Sequence, residues 1–254
     1  MNNKLSVIII TKNEQENIKD CLESVKWANE IIIVDAYSID GTVEIAKNYT
    51  DKIYVREWQG FANAKNYALQ FVTNKWVFSI DADERITKEL KDEINQLISL
   101  ENNEYCGYMV ARRSYFLGKW IKHCGWYPNY VTRLFQKEYG RYNNLNVHEQ
   151  LIVDGKVGML KNDLIHFTDK NLFHYFNKFN TYTSLAVEDL LNSKQKFSYK
   201  NLLINPIFTF FKMYFLKLGF LDGIHGLILC TLSSFYVFTK YAKLWEKSIN
   251  NKEN

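Results

Sequence analysis

The chain has 254 residues, enough to bury a sizeable core as one large domain or as one domain with an appendage. Its formal charge of +4 is mild, and no dense Lys/Arg stripe or reader motif appears, so nucleic acid is not expected as a partner. The four cysteines (Cys21, Cys106, Cys124, Cys230) form no CxxC pair, which fits reduced thiols in a cytosolic protein rather than zinc or a disulfide framework.

The opening MNNKLSVIIITKNE has an apolar run too short for a signal peptide, with charged residues directly after it, so secretion is not expected. Leu5–Ile10 reads instead as a strand covered on both faces, ending at Thr11. Lys12-Asn13-Glu14 then leads into a helical stripe of Ile18, Leu22 and Val25. Ile31–Val34 is a second buried strand ending at Asp35. The turn Ala36–Gly41 offers Ser38 or Asp40 to cap a helix near Thr42. Lys52–Val55 is a weaker strand, and Ala64, Ala68 and Phe71 mark another helix. Trp76–Ile80 is again a buried strand, closed by Asp81-Ala82-Asp83.

Alternating strand and helix predict a mostly parallel sheet with helices on both faces. Thr11, Asp35 and Asp81 end the strong strands at one sheet edge, where open α/β sheets bind ligands, and this suggests a nucleotide cleft. Neither GxGxxG nor GxxxxGK[ST] occurs, so phosphate must be held by a metal and a basic residue. In extended backbone Asp81 and Asp83 point to the same side and can hold a hard divalent cation. The competing reading is an acidic turn capping the helix that starts at Thr87-Lys88-Glu89-Leu90.

After a helix near Thr87–Leu100 and a polar break at Glu101–Glu104, Tyr108–Val110 reads as a strand running into Arg112-Arg113. Trp126 and Tyr127 offer faces for a sugar ring, or core packing. Arg133 suits bidentate phosphate recognition, or a surface ion pair. Val147-His148-Glu149 follows the loop Asn143–Asn146, with Glu149, His148 and Asp154 as candidate bases. His166 closes a strand, Leu160–Ile165, as a structural histidine or a ligand for a transition divalent.

From Asn171 onward the pattern is helical, with Phe173, Phe176 and Phe179 at helical spacing. Leu202–Leu221 is aromatic and apolar but carries Lys212 and Lys217, and Gly223–Thr239 holds His225, Thr231, Ser233 and Ser234. Neither is the clean run of about eighteen apolar residues expected of a spanning helix. The segment reads as a helical cap on the core, or as a helix pair at the membrane interface.

The ordered pieces SVIIITKNE, IIIVDAYSIDGT, AKNYAL and WVFSIDADE resemble a family 2 glycosyltransferase of the GT-A fold. YFLGKWI (115–121), GWYP (125–128), TRLF (132–135), VHE (147–149) and GFLDGIHG (219–226) resemble the bacterial β-1,4-glucosyltransferases of the lipopolysaccharide inner core. Tyr37-Ser38-Ile39-Asp40 departs from the family pattern, which has a small or acidic residue before the serine and Thr after it.

The resemblance implies an α/β GT-A domain over residues 1–170, with a donor half (1–100) and an acceptor half (101–170), and a helical extension over 171–254. It implies a nucleotide-sugar donor, with UDP-glucose expected. Thr11, Glu14 and Asp35 would contact base and ribose, Lys65 (otherwise a solvated helix residue) the diphosphate, and Asp81 the ribose. Asp83, joined by His166, would hold Mn2+ or Mg2+. Trp126 and Arg133 would serve the acceptor or its phosphate, and Glu149 would be the general base. The expected reaction is inverting transfer of a hexose to a saccharide or glycolipid such as core heptose, on the cytoplasmic face of the inner membrane with peripheral contact. A peptide, teichoic acid or lipid-carrier acceptor, or a degenerate membrane-associated binding protein, are the other readings.

Overall fold

The computed structural model describes residues 4–100, 103–143 and 150–250. The chain forms two compact units, one of residues up to 113 with 129–166 and one of residues 114–128 with 167 onward.

The first unit begins with strand and helix in alternation: β1 (Leu5–Thr11), α1 (Ile18–Val25), β2 (Glu30–Asp35), α2 (Thr42–Ala46), β3 (Ile53–Val55), α3 (Phe61–Gln70) and β4 (Trp76–Asp81). β5 (Glu84–Ile86), α4 (Lys88–Ile98), β6 (Gly107–Phe116), β7 (Lys119–Trp120), β8 (Asn129–Gln136), β9 (Gly140–Tyr142), β10 (Leu151–Val153), β11 (Val157–Met159) and β12 (Leu164–Asp169) follow. The sheet order is β3-β2-β1-β4-β8-β6-β12-β5, with β7 and β11 also on β6, while β9 and β10 pair apart. β3, β2, β1 and β4 are parallel, and β8 joins β4 antiparallel.

The unbroken Ile and Val runs follow from coverage of both faces. On one face Val7, Ile9 and Ile33 pack with Ile18 and Leu22 of α1 and with Leu90 and Ile94 of α4. On the other, Ile8, Ile10, Ile32 and Val34 meet Ala64, Ala68 and Leu69 of α3. Each such aliphatic side chain contributes roughly 1.5–3 kcal/mol when fully buried. Register then sets the edge: Thr11 lies opposite Asp35, and Ile10 opposite Asp81. The three polar strand ends therefore share one rim, as the sequence implied.

In the second unit α5 (Leu172–Asn192) is followed by α6 (Tyr199–Phe211), a π-helical turn Lys212–Leu216, a 3-10 turn Gly219–Asp222 and α7 (Gly223–Asn250). α6 and α7 pack antiparallel, with the Ser234 hydroxyl donating to the Pro206 carbonyl. The motif GFLDGIHG is explained at their turn. A Cβ at Gly226 would lie 1.9 Å from the Gly219 carbonyl oxygen, so the backbones touch and admit no side chain. Between them the buried Asp222 carboxylate accepts from the backbone N–H groups of Lys122 and His123, tying residues 119–124 to the turn.

One expectation changes here. Read as separate stretches, 202–221 and 223–239 lacked spanning character. As one helical segment, Gly219–Ile249 is long and apolar enough to cross a membrane by length and composition, although little of it is buried.

Candidate active site

At the rim, β4 ends on Asp81, and Ala82-Asp83 form a tight turn into β5. Asp81 and Asp83 are thus not both on one extended strand. The turn gives each its own partners. The competing reading of the pair as a helix cap is removed, because the Thr87 hydroxyl caps α4 by accepting from Leu90 N–H. Arg85 fixes the turn from below, donating to the carbonyls of Ala82, Glu84 and Asn17 at 2.8 Å each.

Asp81 lies between two cations, with Lys65 Nζ at 3.3 Å and Arg133 Nη2 at 2.5 Å. The same Arg133 nitrogen reaches Glu84 Oε1 at 2.6 Å, and Glu84 Oε2 accepts from Asp81 N–H at 3.0 Å. Arg133 and Glu84 are buried, and Arg112 adds a third cation 3.9 Å from Glu84. Burial works against ionisation of Asp81, but Arg133, Lys65 and the nearby His166 outweigh it and hold the carboxyl well below the usual range. In return Asp81 and Glu84 raise Arg133 well above its ordinary value despite its burial. Asp81 keeps a third of its side chain open to solvent, so an ionised carboxylate is presented at the rim.

The antiparallel register of β12 on β5 sets His166 opposite Glu84. His166 Nε2 thereby comes within 3.5 Å of Asp83 Oδ2, each side chain 16% exposed. One carboxylate oxygen and one imidazole nitrogen suit a transition divalent such as Mn2+ better than Mg2+, which prefers oxygen ligands. Two ligands bonding one ion at about 2.1 Å lie roughly 3–3.5 Å apart, so the pair fits an ion. Among the described residues no third His, Cys, Asp or Glu completes a cluster. The remaining positions would fall to solvent or substrate oxygen.

The other expected donor contacts line the same rim with different exposure. Asp35 is fully buried, and both its oxygens accept from Ser38, from N–H at 2.8 Å and from the hydroxyl at 2.5 Å. Ser38 Oγ also accepts from Asn13 N–H, so Asp35 anchors the loop after β2 to the loop after β1. Asp40 accepts from Thr42 N–H and its hydroxyl at the start of α2, whose N-cap position is Gly41 rather than Ser38 or Asp40. Thr11 is buried, and its hydroxyl meets no partner among the described residues. Glu14 is half-buried and accepts from the Asn17 amide. Lys65 is buried under the Tyr142 ring, 5.4 Å from its centroid, rather than solvated.

Arg133 is neither a surface ion pair nor open to solvent, since its Nη2 is shared by two carboxylates. Trp126 lies in the second unit, edge-on to Phe116 and half-buried. Glu149 and His148 lie outside the described residues. Asp154 is exposed and paired with Arg141. Sequence reasoning missed Glu84, Arg112 and Arg85. For Glu84 the signal was present, an acid directly after Asp-Ala-Asp at the start of a short buried strand.

A mostly parallel sheet whose carboxyl rim carries an ionised aspartate, a carboxylate–imidazole pair and buried cations is a fold of the GT-A class. The comparisons agree. The family model described as glycosyl transferase family 2 matches residues 6–165, and the chain belongs to that family. It is a glycosyltransferase. It is 32% identical to an uncharacterized glycosyltransferase of Rickettsia typhi, over 98% of this chain and 89% of the relative. It is 31% identical to the lipopolysaccharide core biosynthesis glycosyltransferase LpsC of Rhizobium meliloti, over 96% of this chain and 92% of LpsC. Among solved structures, S. aureus TarS 1-349 in complex with UDP-GlcNAc aligns with 92% of this chain and 81% of its own, at 14% identity and TM-score 0.47.

Proposed function

We propose that this glycosyltransferase is inverting and metal-dependent, and that it moves glucose from UDP-glucose onto a saccharide such as the heptose of a lipopolysaccharide core. The observation that carries the reading is Asp83 beside His166, next to an Asp81 kept ionised by Lys65 and Arg133. The likeness to LpsC supports the lipopolysaccharide acceptor. The choice of glucose rests on the motifs YFLGKWI, GWYP and TRLF.

Asp83 and His166 would hold the Mn2+ or Mg2+ ion, which supplies positive charge to the departing diphosphate. Asp81, ionised and part-exposed, accepts from sugar or ribose hydroxyls. Lys65 sets a compact positive charge beside it for phosphate. Arg133 and Glu84 act as positioning residues: one holds the Asp81 carboxylate, the other its N–H. Asp35, being buried, shapes the base site through the loops it anchors, Thr11 lines that site, and the half-buried Glu14 reaches the nucleotide directly. The unburied part of Trp126 meets the acceptor. Glu149 takes the proton from the acceptor hydroxyl as it attacks the anomeric carbon. Attack opposite the leaving group turns an α-linked donor into a β-linked product with no covalent enzyme intermediate. The enzyme works on the cytoplasmic face of the inner membrane, in peripheral contact with it.

The test is transfer from a panel of nucleotide sugars to de-acylated core saccharide, with product anomers read by NMR. A β-linked glucosyl product formed only with divalent metal is expected. An α-linked product, or full activity in chelator, overturns the reading.

A further inference from the structure

The turn between α6 and α7 is unlike an ordinary surface turn. Residues 215–221 read Phe-Leu-Lys-Leu-Gly-Phe-Leu, and every one except Gly219 is exposed. Turns at a protein surface are normally polar, and runs of exposed apolar residues are errors unless they have a function. Leu218 adopts φ 54°, a left-handed conformation that Gly or Asn takes at lower cost. An apolar side chain is thus kept where the backbone disfavours it. The apolar surface continues up α6 through Ile204, Ile207, Phe208 and Phe211, which recur on one helical face.

Many of the peptide groups of this turn are paired within the second unit. N–H groups of Lys217, Leu218, Leu221 and Gly223 donate to carbonyls of Lys212, Phe215, Leu218 and Phe220. The carbonyls of Lys217 and Asp222 accept from Cys124 N–H and Lys119 Nζ. Irregular backbone can enter hydrocarbon only when it is satisfied in this way. Charge points the same way. Across residues 199–239 the charged side chains are Lys200, Lys212, Lys217 and one acid, Asp222, which is buried and hydrogen-bonded. The Lys217 stem runs alongside Gly125, which lets its ammonium turn back from the apolar tip. Exposed lysines among exposed aromatics match an anionic lipid surface, whereas protein interfaces are depleted of lysine.

Length limits the depth. From Phe235 onward α7 is tethered along one side to α5: Phe179 stacks on Phe235, Tyr236 donates to the Tyr182 carbonyl, and Lys243 bonds Thr183 and Ser184. The part of α7 before Phe235 reaches about 18 Å at 1.5 Å per residue. A hydrocarbon core is about 30 Å thick. The stretch ahead of this tether is too short to span.

We propose that the α6–α7 turn enters one leaflet of an anionic membrane, turn first, and stops short of crossing it. This deepens the membrane contact in the proposed function and rests on that part of it alone. The test is co-sedimentation of the full chain with phosphatidylglycerol-containing and with pure phosphatidylcholine vesicles. The wild-type chain binds the anionic vesicles more tightly. Leu216→Glu with Leu221→Glu, both at exposed positions, lowers binding at least a hundredfold, and Lys212→Gln with Lys217→Gln lowers it about fivefold per lysine. An unchanged far-UV spectrum and wild-type transfer to a de-acylated, water-soluble acceptor show the variants folded. No vesicle binding by wild type, or undiminished binding by the Leu216/Leu221 variant, overturns the proposal. So does a dimer in size-exclusion chromatography that the same variant dissociates, because a second copy then covers the face. Vesicle binding without transfer of any sugar would sink the transferase reaction proposed above and leave the inserted turn standing.

Discussion

Two carboxylates at opposite ends of the parallel strands, Glu30 where β2 begins and Asp81 where β4 ends, show how a buried charge can serve structure or chemistry. Glu30 is buried, and both oxygens are engaged by Ser6, Lys52 and the N–H and hydroxyl of Thr73. Burial would raise its pKa, but those hydrogen bonds bring it down to about 2. Asp81 is likewise held ionised, yet a third of its side chain faces solvent and its partners are cations rather than a closed ring of local donors. A hollow of about 570 Å³ lies beside Glu30, lined by Lys4, Lys26, Lys52 and Thr73. This hollow lies at the opposite end of the parallel strands from Asp81. A fully satisfied carboxylate holds strands together, while one that keeps an open face is available to a ligand.

Four experiments break or sharpen this contrast. Asp83→Ala and Glu149→Gln should have the largest effect, each lowering transfer by about 10²–10⁴ with little change in the unfolding midpoint. Full activity in either variant removes that residue from its role. Arg133→Met comes next, because it leaves Asp81 and Glu84 facing each other without their shared cation. Losing one partner of a buried pair costs about 3–5 kcal/mol, read in a urea titration. Arg133→Lys should recover stability before it recovers KM for the donor, since a lysine cannot reproduce the guanidinium geometry. Equal recovery of both would make Arg133 merely structural.

Glu30→Gln should cost about 1–3 kcal/mol and leave kcat/KM untouched. Its pH signature has a definite sign. The folded pKa is below the ordinary 4.5, so the stabilisation is complete above that value and is lost as pH falls toward 2. Midpoints at neutral pH and at about pH 3 should therefore differ less in the Gln variant than in wild type, and an equal difference contradicts the hydrogen-bonded arrangement. The smallest effect belongs to Arg141–Asp154, an ion pair with both side chains 60% exposed. Asp154→Asn should change stability by less than about 1 kcal/mol, and a loss of activity would make Asp154 the competing base.

Much of this protein can be read from the chain alone. Continuous Ile/Val runs fix which strands are covered on both faces, their polar ends mark the rim, and local spacing fixes α1 and the start of α4 near Thr87, because these depend on neighbours a few residues away. The motif WVFSIDADE marks the site, and the ordered motifs give the family. What local pattern could not decide is which partner meets which carboxylate. The antiparallel register of β12 on β5 brings His166 to Asp83 across more than eighty residues, and β8 delivers Arg133 under Asp81. Alternation predicted an extended Asp81–Asp83, whereas Arg85 bonding to Ala82, Glu84 and Asn17 holds a turn there. The grouping of residues 114–128 with the C-terminal helices likewise rests on Asp222, whose buried carboxylate reaches backbone about a hundred positions earlier. Sequence spacing determines which face a residue occupies, but only long-range packing determines what faces it, and ionisation and ligand geometry depend on the second.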